Sequence, residues 1–198
     1  RIKNSLRVVG GYLESRRKYE QFEFEGYDFK KLFRWYNRTW RNERQIEIPI
    51  IHSIVSDAVY RHQSILEIGN VLSHYHPISH PVIDKYEKGK DVFNLDAADF
   101  KLLNKYDLIV SISTLEHVGV DEPVKDSEKI IRTIQNLKNH LNSQGHLLIT
   151  FPLGYNKELD NLILRDFSWD KAIFRVDNNN LKELKIRDIV IAHWRKYE

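Results

Sequence analysis

Five short apolar runs, each carrying a polar or acidic residue at or near its end, set the tightest limit on what this chain can fold into. They are Ile65-Leu-Glu-Ile68, Pro81-Val-Ile-Asp84, Asp91-Val-Phe-Asn-Leu-Asp96, Tyr106-Asp-Leu-Ile-Val-Ser-Ile112 and His146-Leu-Leu-Ile-Thr-Phe151. Runs this continuous suit strands buried on both faces, the condition of a parallel sheet covered by helices. The intervening chain supplies helical patterns. Glu128 to Asn142 carries Ile130, Ile134, Leu137 and Leu141 as a stripe, with Asp126 or Ser127 to cap its start and Gly145 to stop it. Ile46 to Val59 carries Ile48, Ile51, Ile54, Val55 and Ala58, with Pro49 near the first turn, where proline is tolerated. Ala172–Val176 and Asp188–Trp194 read as two further strands, separated by polar Asn178-Asn-Asn180.

A chain of 198 residues fits one domain with an appended segment. Cysteine is absent, which excludes disulfides, cysteine nucleophiles and thiolate metal sites and fits a cytoplasmic protein. Nothing approaches the roughly 18 apolar residues of a membrane span. Arg1-Ile-Lys-Asn-Ser-Leu-Arg-Val-Val9 lacks the apolar core of a signal peptide. Charge is uneven. Residues 1–44 carry twelve Lys/Arg against six acids, a net of +6, whereas the remainder is at −3. These 44 residues, dense in Tyr, Phe and Trp, read as a basic aromatic N-terminal extension or lid, followed by one catalytic-sized domain over 45–198. Within the extension, Phe29, Leu32, Phe33 and Tyr36 share a face if Tyr27–Tyr36 is helical.

In an open parallel sheet a ligand lies beyond the carboxyl ends of the strands, where strand order reverses. The residues delivered there are Glu67-Ile-Gly69, Asp84, Asp96-Ala-Ala-Asp99, Ser111-Ile-Ser-Thr-Leu-Glu-His117 and Thr150-Phe-Pro152. An acid followed by a glycine at the first strand end offers a hydrogen-bond acceptor and a close backbone approach.

With these strand ends, Ile65 to Phe151 resembles a class I S-adenosylmethionine-dependent methyltransferase, and within that group the small-molecule and sugar methyltransferases. The resemblance implies a Rossmann-like three-layer α/β sandwich with a mostly parallel seven-stranded sheet and an antiparallel last strand. It implies S-adenosyl-L-methionine as cofactor. Glu67, Gly69 and Asn70 would then approach its amino-acid part, Asp84 the ribose hydroxyls, and Asp96 with Ala97 the adenine, while Ser113 lies in the loop leaving the fourth strand. One departure stands in the glycine loop, where Val71 occupies the position of the family's second glycine. The Asn-Pro-Pro-Tyr motif of base N-methylators is absent, Ser111-Ile-Ser-Thr114 standing in its place.

His117 follows the strand-four exit, where a neutral imidazole can take the proton of an attacking hydroxyl; its plainer role is to close a loop. Glu116 either contacts the cofactor or supports His117, or is an ordinary surface acid. His74, His76 and His80 stand in a proline-broken loop without a carboxylate at ligand spacing, so they read as a solvated loop and no metal is expected. The expected function is methyl transfer to oxygen or nitrogen of a small molecule, a sugar or glycoconjugate among the candidates. Two alternatives stay open: a methyltransferase-like binding module without catalysis, and a nucleic-acid-modifying enzyme using the +6 segment. The dispersed acids and the lack of a nucleic-acid-binding motif argue against the second. No membrane partner is expected, and oligomeric state is left open.

Overall fold

The computed structural model describes residues 21–174 and 189–196. It opens on a hairpin, β1 (Gln21–Phe24) and β2 (Tyr27–Lys30), where a helix over Tyr27–Tyr36 was expected. The turn explains the difference. Glu25 and Gly26 both take positive φ, +49° and +81°, which a two-residue hairpin turn requires. Phe22 then pairs with Phe29 across the strands, ring centroids 5.5 Å apart. Cross-strand aromatic pairing, at a period of two, wins over the helical spacing.

Helix α1 (Arg44–Tyr60) follows a short 3-10 turn at Tyr36–Arg41. Pro49 lies inside it and has no N–H to give to the carbonyl of Gln45, four residues back. That carbonyl instead accepts the N–H of Leu32 at 2.8 Å. The helix defect thus ties the chain leaving the hairpin to α1.

The sheet then builds through β3 (Ile65–Ile68), β4 (Val82–Ile83), β5 (Val92–Phe93) and β6 (Tyr106–Ile112). Helix α2 (Lys129–Asn139), β7 (Leu141–Pro152), α3 (Lys157–Arg165), β8 (Asp170–Phe174) and β9 (Ile189–Arg195) complete it. Among the described residues the sheet has seven strands in the order β5-β4-β3-β6-β7-β9-β8. The first five are parallel, and β9 runs antiparallel between β7 and β8. Arg175, Val176, Asp188 and the Asn178–Asn180 tract lie outside the described residues.

One boundary is corrected. β7 begins at Leu141 rather than His146, so the preceding helix is shorter than expected. The register against β6 jumps from Tyr106↔Leu141 to Leu108↔His146. Gly145 sits in that irregularity, and a Cβ there would meet the carbonyl oxygens of Asn142 and Tyr106 at 2.9 Å. The glycine serves close strand packing, not a helix stop.

Alternate strand residues go to opposite faces. Ile65, Leu108, Val110 and Ile112 pack against α1 and the hairpin, whereas Leu66, Ile68, Ile109 and Ile149 pack against α2 and α3. Three layers result. Strand order reverses between β3 and β6, which puts the crevice beyond Ile68 and Ile112.

Candidate active site

At the end of β3, Glu67 is fully buried. Its Oε1 accepts the N–H groups of Val71 and Leu72 at 2.9 and 2.8 Å, and its Oε2 meets His80 Nε2 at 2.9 Å. The carboxylate therefore shapes the turn from beneath and is not among the residues lining the crevice. Val71, at φ −106°, needs none of glycine's conformational freedom, so its side chain is compatible with this turn. Gly69 does need it. Its φ is +85°, and a Cβ there would lie 2.2 Å from Thr114 Oγ1 and 2.8 Å from Thr114 Cβ. Gly69→Ala is expected to cost about 2–4 kcal/mol from strain plus overlap. Thr114→Ser should give little relief, because the Cβ contact remains. Urea denaturation of both variants checks this; a loss near zero for Gly69→Ala would refute the close approach.

Of the three histidines around this turn, His74 is exposed, His76 is half-buried and only His80 is buried, so the solvated-loop reading fails for His80. His80 is buried on Glu67, with Nδ1 unpartnered. His74 Nε2 lies 2.9 Å from Glu87 and its ring stacks on Tyr36, and His76 stacks on His52. Their rings fasten the loop to α1 and the aromatic turn.

Asp84, just past β4, accepts three backbone N–H groups: Asn70 on Oδ2 at 3.0 Å, and Tyr86 and Glu87 on Oδ1 at 2.9 and 2.7 Å. Oδ2 retains acceptor capacity toward a ligand. Asn70 spends its side chain on Glu87 and Ser73. Asp96, after β5, holds Lys129 Nζ at 2.6 Å and Lys85 Nζ at 2.9 Å on the same oxygen. Both lysines also reach Glu122. Burial pushes the Asp96 carboxyl up, but the two ammonium groups and the Ala98 N–H outweigh it and hold it at about 2.

The exit of β6 carries the backbone strain of the site. Ser113 takes φ +35°, outside the ordinary range of a residue with a side chain. Its hydroxyl donates to Glu47 Oε1 at 2.6 Å, away from the crevice and into α1. Arg44 braces the same corner, donating to the carbonyls of Ile112 and Ser113 at 2.8 and 3.2 Å. Glu116 is buried with Oε2 unpartnered. Burial, reinforced by Glu47, pushes its carboxyl well above the usual range. Its Oε1 lies 3.6 Å from His117 Nε2, too far for a hydrogen bond. A carboxyl whose pKa the fold raises binds more protons folded than unfolded, so the protein loses stability as pH rises from about 4.5. Glu116→Gln should shrink the fall in unfolding free energy as pH rises above about 4.5, with Glu47 leaving a residual slope. Equal slopes in denaturation series would contradict this assignment.

Gly69, Asp84, Asp96, Ala97, Ser113 and His117 come together around one cavity of about 300 Å³. Its other walls are largely apolar, from Ile68, Ile83, Leu95, Leu115 and Val118. Asn70 lies beside it, in a polar cleft of about 200 Å³ with Tyr36, Asn37, Arg44 and Tyr75; the two spaces share Asp84 and Thr114. A larger cavity, about 480 Å³, lies under Phe24 and Ala58 against Leu108, His146 and His193. It touches none of the strand-end acids, so the smaller cavity is the better site.

Sequence reasoning missed Lys85, Glu122, Lys129 and Asp121. Two had a local signal: Lys85 adjoins Asp84, and Asp121 stands four residues after His117. The Arg44 and Glu47 contacts cross more than sixty positions and leave no local trace.

No family model matches this sequence, and no curated protein matches it. Solved structures do. The N-methyltransferase NodS from Bradyrhizobium japonicum, in complex with S-adenosyl-L-homocysteine, gives a TM-score of 0.54 over 81% of this chain and 92% of that one, at 16% identity. An rRNA methylase from Streptococcus thermophilus gives 0.50 over 76% and 96%, at 8% identity. Together with the strand order and the antiparallel β9, these likenesses establish that the chain has the fold of the class I S-adenosylmethionine-dependent methyltransferases.

Proposed function

We propose that this protein is a methyltransferase that uses S-adenosyl-L-methionine to methylate oxygen or nitrogen of a small molecule, with sugars and glycoconjugates the first acceptors to try. The observation that carries this reading is the pair of acids, Asp84 and Asp96, at the ends of adjacent strands around one apolar cavity beside Gly69. The residues present fit the cofactor. Asp84 Oδ2 has room for a ribose hydroxyl, the walls from Ile83, Leu95 and Leu115 suit a flat base, and Ala97 lies next to Asp96. The polar cleft at Tyr36, Asn37 and Arg44 suits the charged amino-acid end. The cofactor would supply an activated methyl group; the chain's part is to hold it, keep water away and orient the acceptor. His117, on the cavity wall, is the candidate base, with Glu116, its carboxyl pushed up by burial, as the supporting neighbour.

In this reading the described residues from Gln21 up to Arg44 act as a lid, because Tyr36 and Asn37 line the cleft beside Asp84. Arg44 turns inward onto Ile112 and Ser113, which leaves it out of any basic surface for nucleic acid. No described helix is long and apolar enough to cross a membrane. The cysteine-free composition suits a cytoplasmic setting.

Isothermal titration calorimetry with S-adenosylmethionine and S-adenosylhomocysteine tests the reading. Binding in the micromolar range, about −8 kcal/mol, is expected. Absence of heat and of thermal stabilisation with both compounds would end it.

A further inference from the structure

His117 Nδ1 lies 2.5 Å from Asp121 Oδ2, and the same oxygen accepts the Tyr155 hydroxyl at 2.6 Å. The Tyr155 ring stands edge-on to the imidazole, centroids 4.9 Å apart. Three elements meet here: the turn after β6, the loop beyond it and the segment between β7 and α3. The hydrogen bonds from Tyr155 and His117 hold the Asp121 carboxyl below its usual range, so it is ionised and only accepts. In the neutral ring Nδ1 therefore carries the proton and Nε2 keeps its lone pair. Nε2 makes no hydrogen bond, its nearest acid being Glu116 Oε1 at 3.6 Å. His117 and Asp121 both line the cavity assigned to the cofactor.

We propose that Asp121 is the positioning residue of this site, with Tyr155 fixing Asp121 in turn, so that His117 is held in the Nδ1–H tautomer and Nε2 takes the proton of the acceptor. The inference rests on the methyltransferase reading for its chemistry. As the acceptor oxygen or nitrogen bonds to the methyl carbon, the carbon–sulfur bond breaks and its electrons stay on sulfur. The acceptor's proton passes to Nε2, and the resulting imidazolium faces Asp121, which stabilises its charge. The plainer alternative, a surface contact that merely pins the loop, holds the same ring proton on Nδ1 but leaves Nε2 indifferent to a ligand in the cavity. The loop already closes through backbone bonds from Val120 and Asp121 to the His117 carbonyl, at 3.1 and 3.0 Å.

Long-range proton–nitrogen NMR of the histidine rings in the full chain reads the tautomer without any acceptor, and the response of the His117 ring to S-adenosylhomocysteine decides between the two. At a pH where the ring is neutral, wild-type His117 should show a protonated Nδ1 and a bare Nε2. Asp121→Ala should switch the dominant form to Nε2–H, the tautomer free histidine prefers. Asp121→Asn, which keeps an acceptor oxygen, should restore Nδ1–H, and Tyr155→Phe should retain it with weaker protection of the ring proton from exchange. An Nε2–H tautomer in the wild type, or no switch in a folded Asp121→Ala, would overturn the proposal. Adding S-adenosylhomocysteine to the same samples separates the two readings. If it perturbs no resonance, the methyltransferase reading fails while the tautomer result still stands. If it shifts cavity signals but leaves the ring of His117 untouched, the positioning role toward this site fails.

Discussion

Asp84→Ala is expected to weaken binding of S-adenosylhomocysteine about 100-fold or more. A ribose hydroxyl bonded to Oδ2 of the carboxylate is worth about 1.5–3 kcal/mol, and every 1.4 kcal/mol is a factor of ten. The loss has a second source. Asp84 accepts the N–H of Asn70, which fixes the turn after β3, and those of Tyr86 and Glu87, which fix its own loop. Removing the carboxylate frees both walls of the cavity at once. Half-exposed amides regain water, so the cost to stability should be about 1–3 kcal/mol, roughly 2–10 °C in melting temperature for a chain of this size. Asp84→Asn separates the effects, because its oxygen still accepts backbone N–H groups while the amide repels a hydroxyl proton. Calorimetry should show Asn nearly as poor as Ala in binding, and melting should show it closer to wild type. Binding unchanged in Asp84→Ala would remove the observation on which the functional reading rests.

The strands were legible because burial on both faces forces continuous apolar runs, and Tyr106–Ile112 and Ile65–Ile68 appear where the sequence puts them. The hairpin was not, because Phe29, Leu32, Phe33 and Tyr36 satisfy a helical face as well as a strand followed by a turn. What decides is the Glu25-Gly26 turn, a local signal the helical spacing masked. The early start of β7 was hidden for a related reason: Leu141 ends one apolar stripe and begins another, and only the pairing with Tyr106 settles which. The candidate site was legible as a set of strand ends and not as a set of contacts. Asp84, Asp96 and His117 do meet at one cavity. Whether an acid faces a ligand or its own loop depends on which backbone amides fold over it. Glu67 and Asp84 look alike in sequence, yet one is sealed under its turn and the other opens onto the cavity.

Glu67→Ala should therefore be the most destabilising single substitution at the site, at about 3–5 kcal/mol. It strips the carboxylate acceptor from the buried N–H of Leu72, leaves the N–H of Val71 with only the Gly69 carbonyl, and deprives His80 of its partner. Orphaning buried donors costs about 1–3 kcal/mol each, and the Leu72 N–H and the His80 ring both lose their acceptor. Glu67→Gln should cost far less, about 1 kcal/mol, because its carbonyl can still accept both amides while its NH2 turns to the His80 ring. The contrast separates a structural carboxylate from a ligand-binding one. A cofactor contact would make Gln and Ala similarly harmful to binding and nearly harmless to folding. Support of the turn predicts the reverse: Gln folds and binds, and Ala loses binding because it loses the turn. A double-mutant cycle with His80→Ala should return about 1–3 kcal/mol of coupling in urea denaturation, since the two side chains are buried against each other with no water to replace the lost contact. Coupling near zero, or a Glu67→Ala protein as stable as wild type, would show that the turn after β3 stands without its carboxylate.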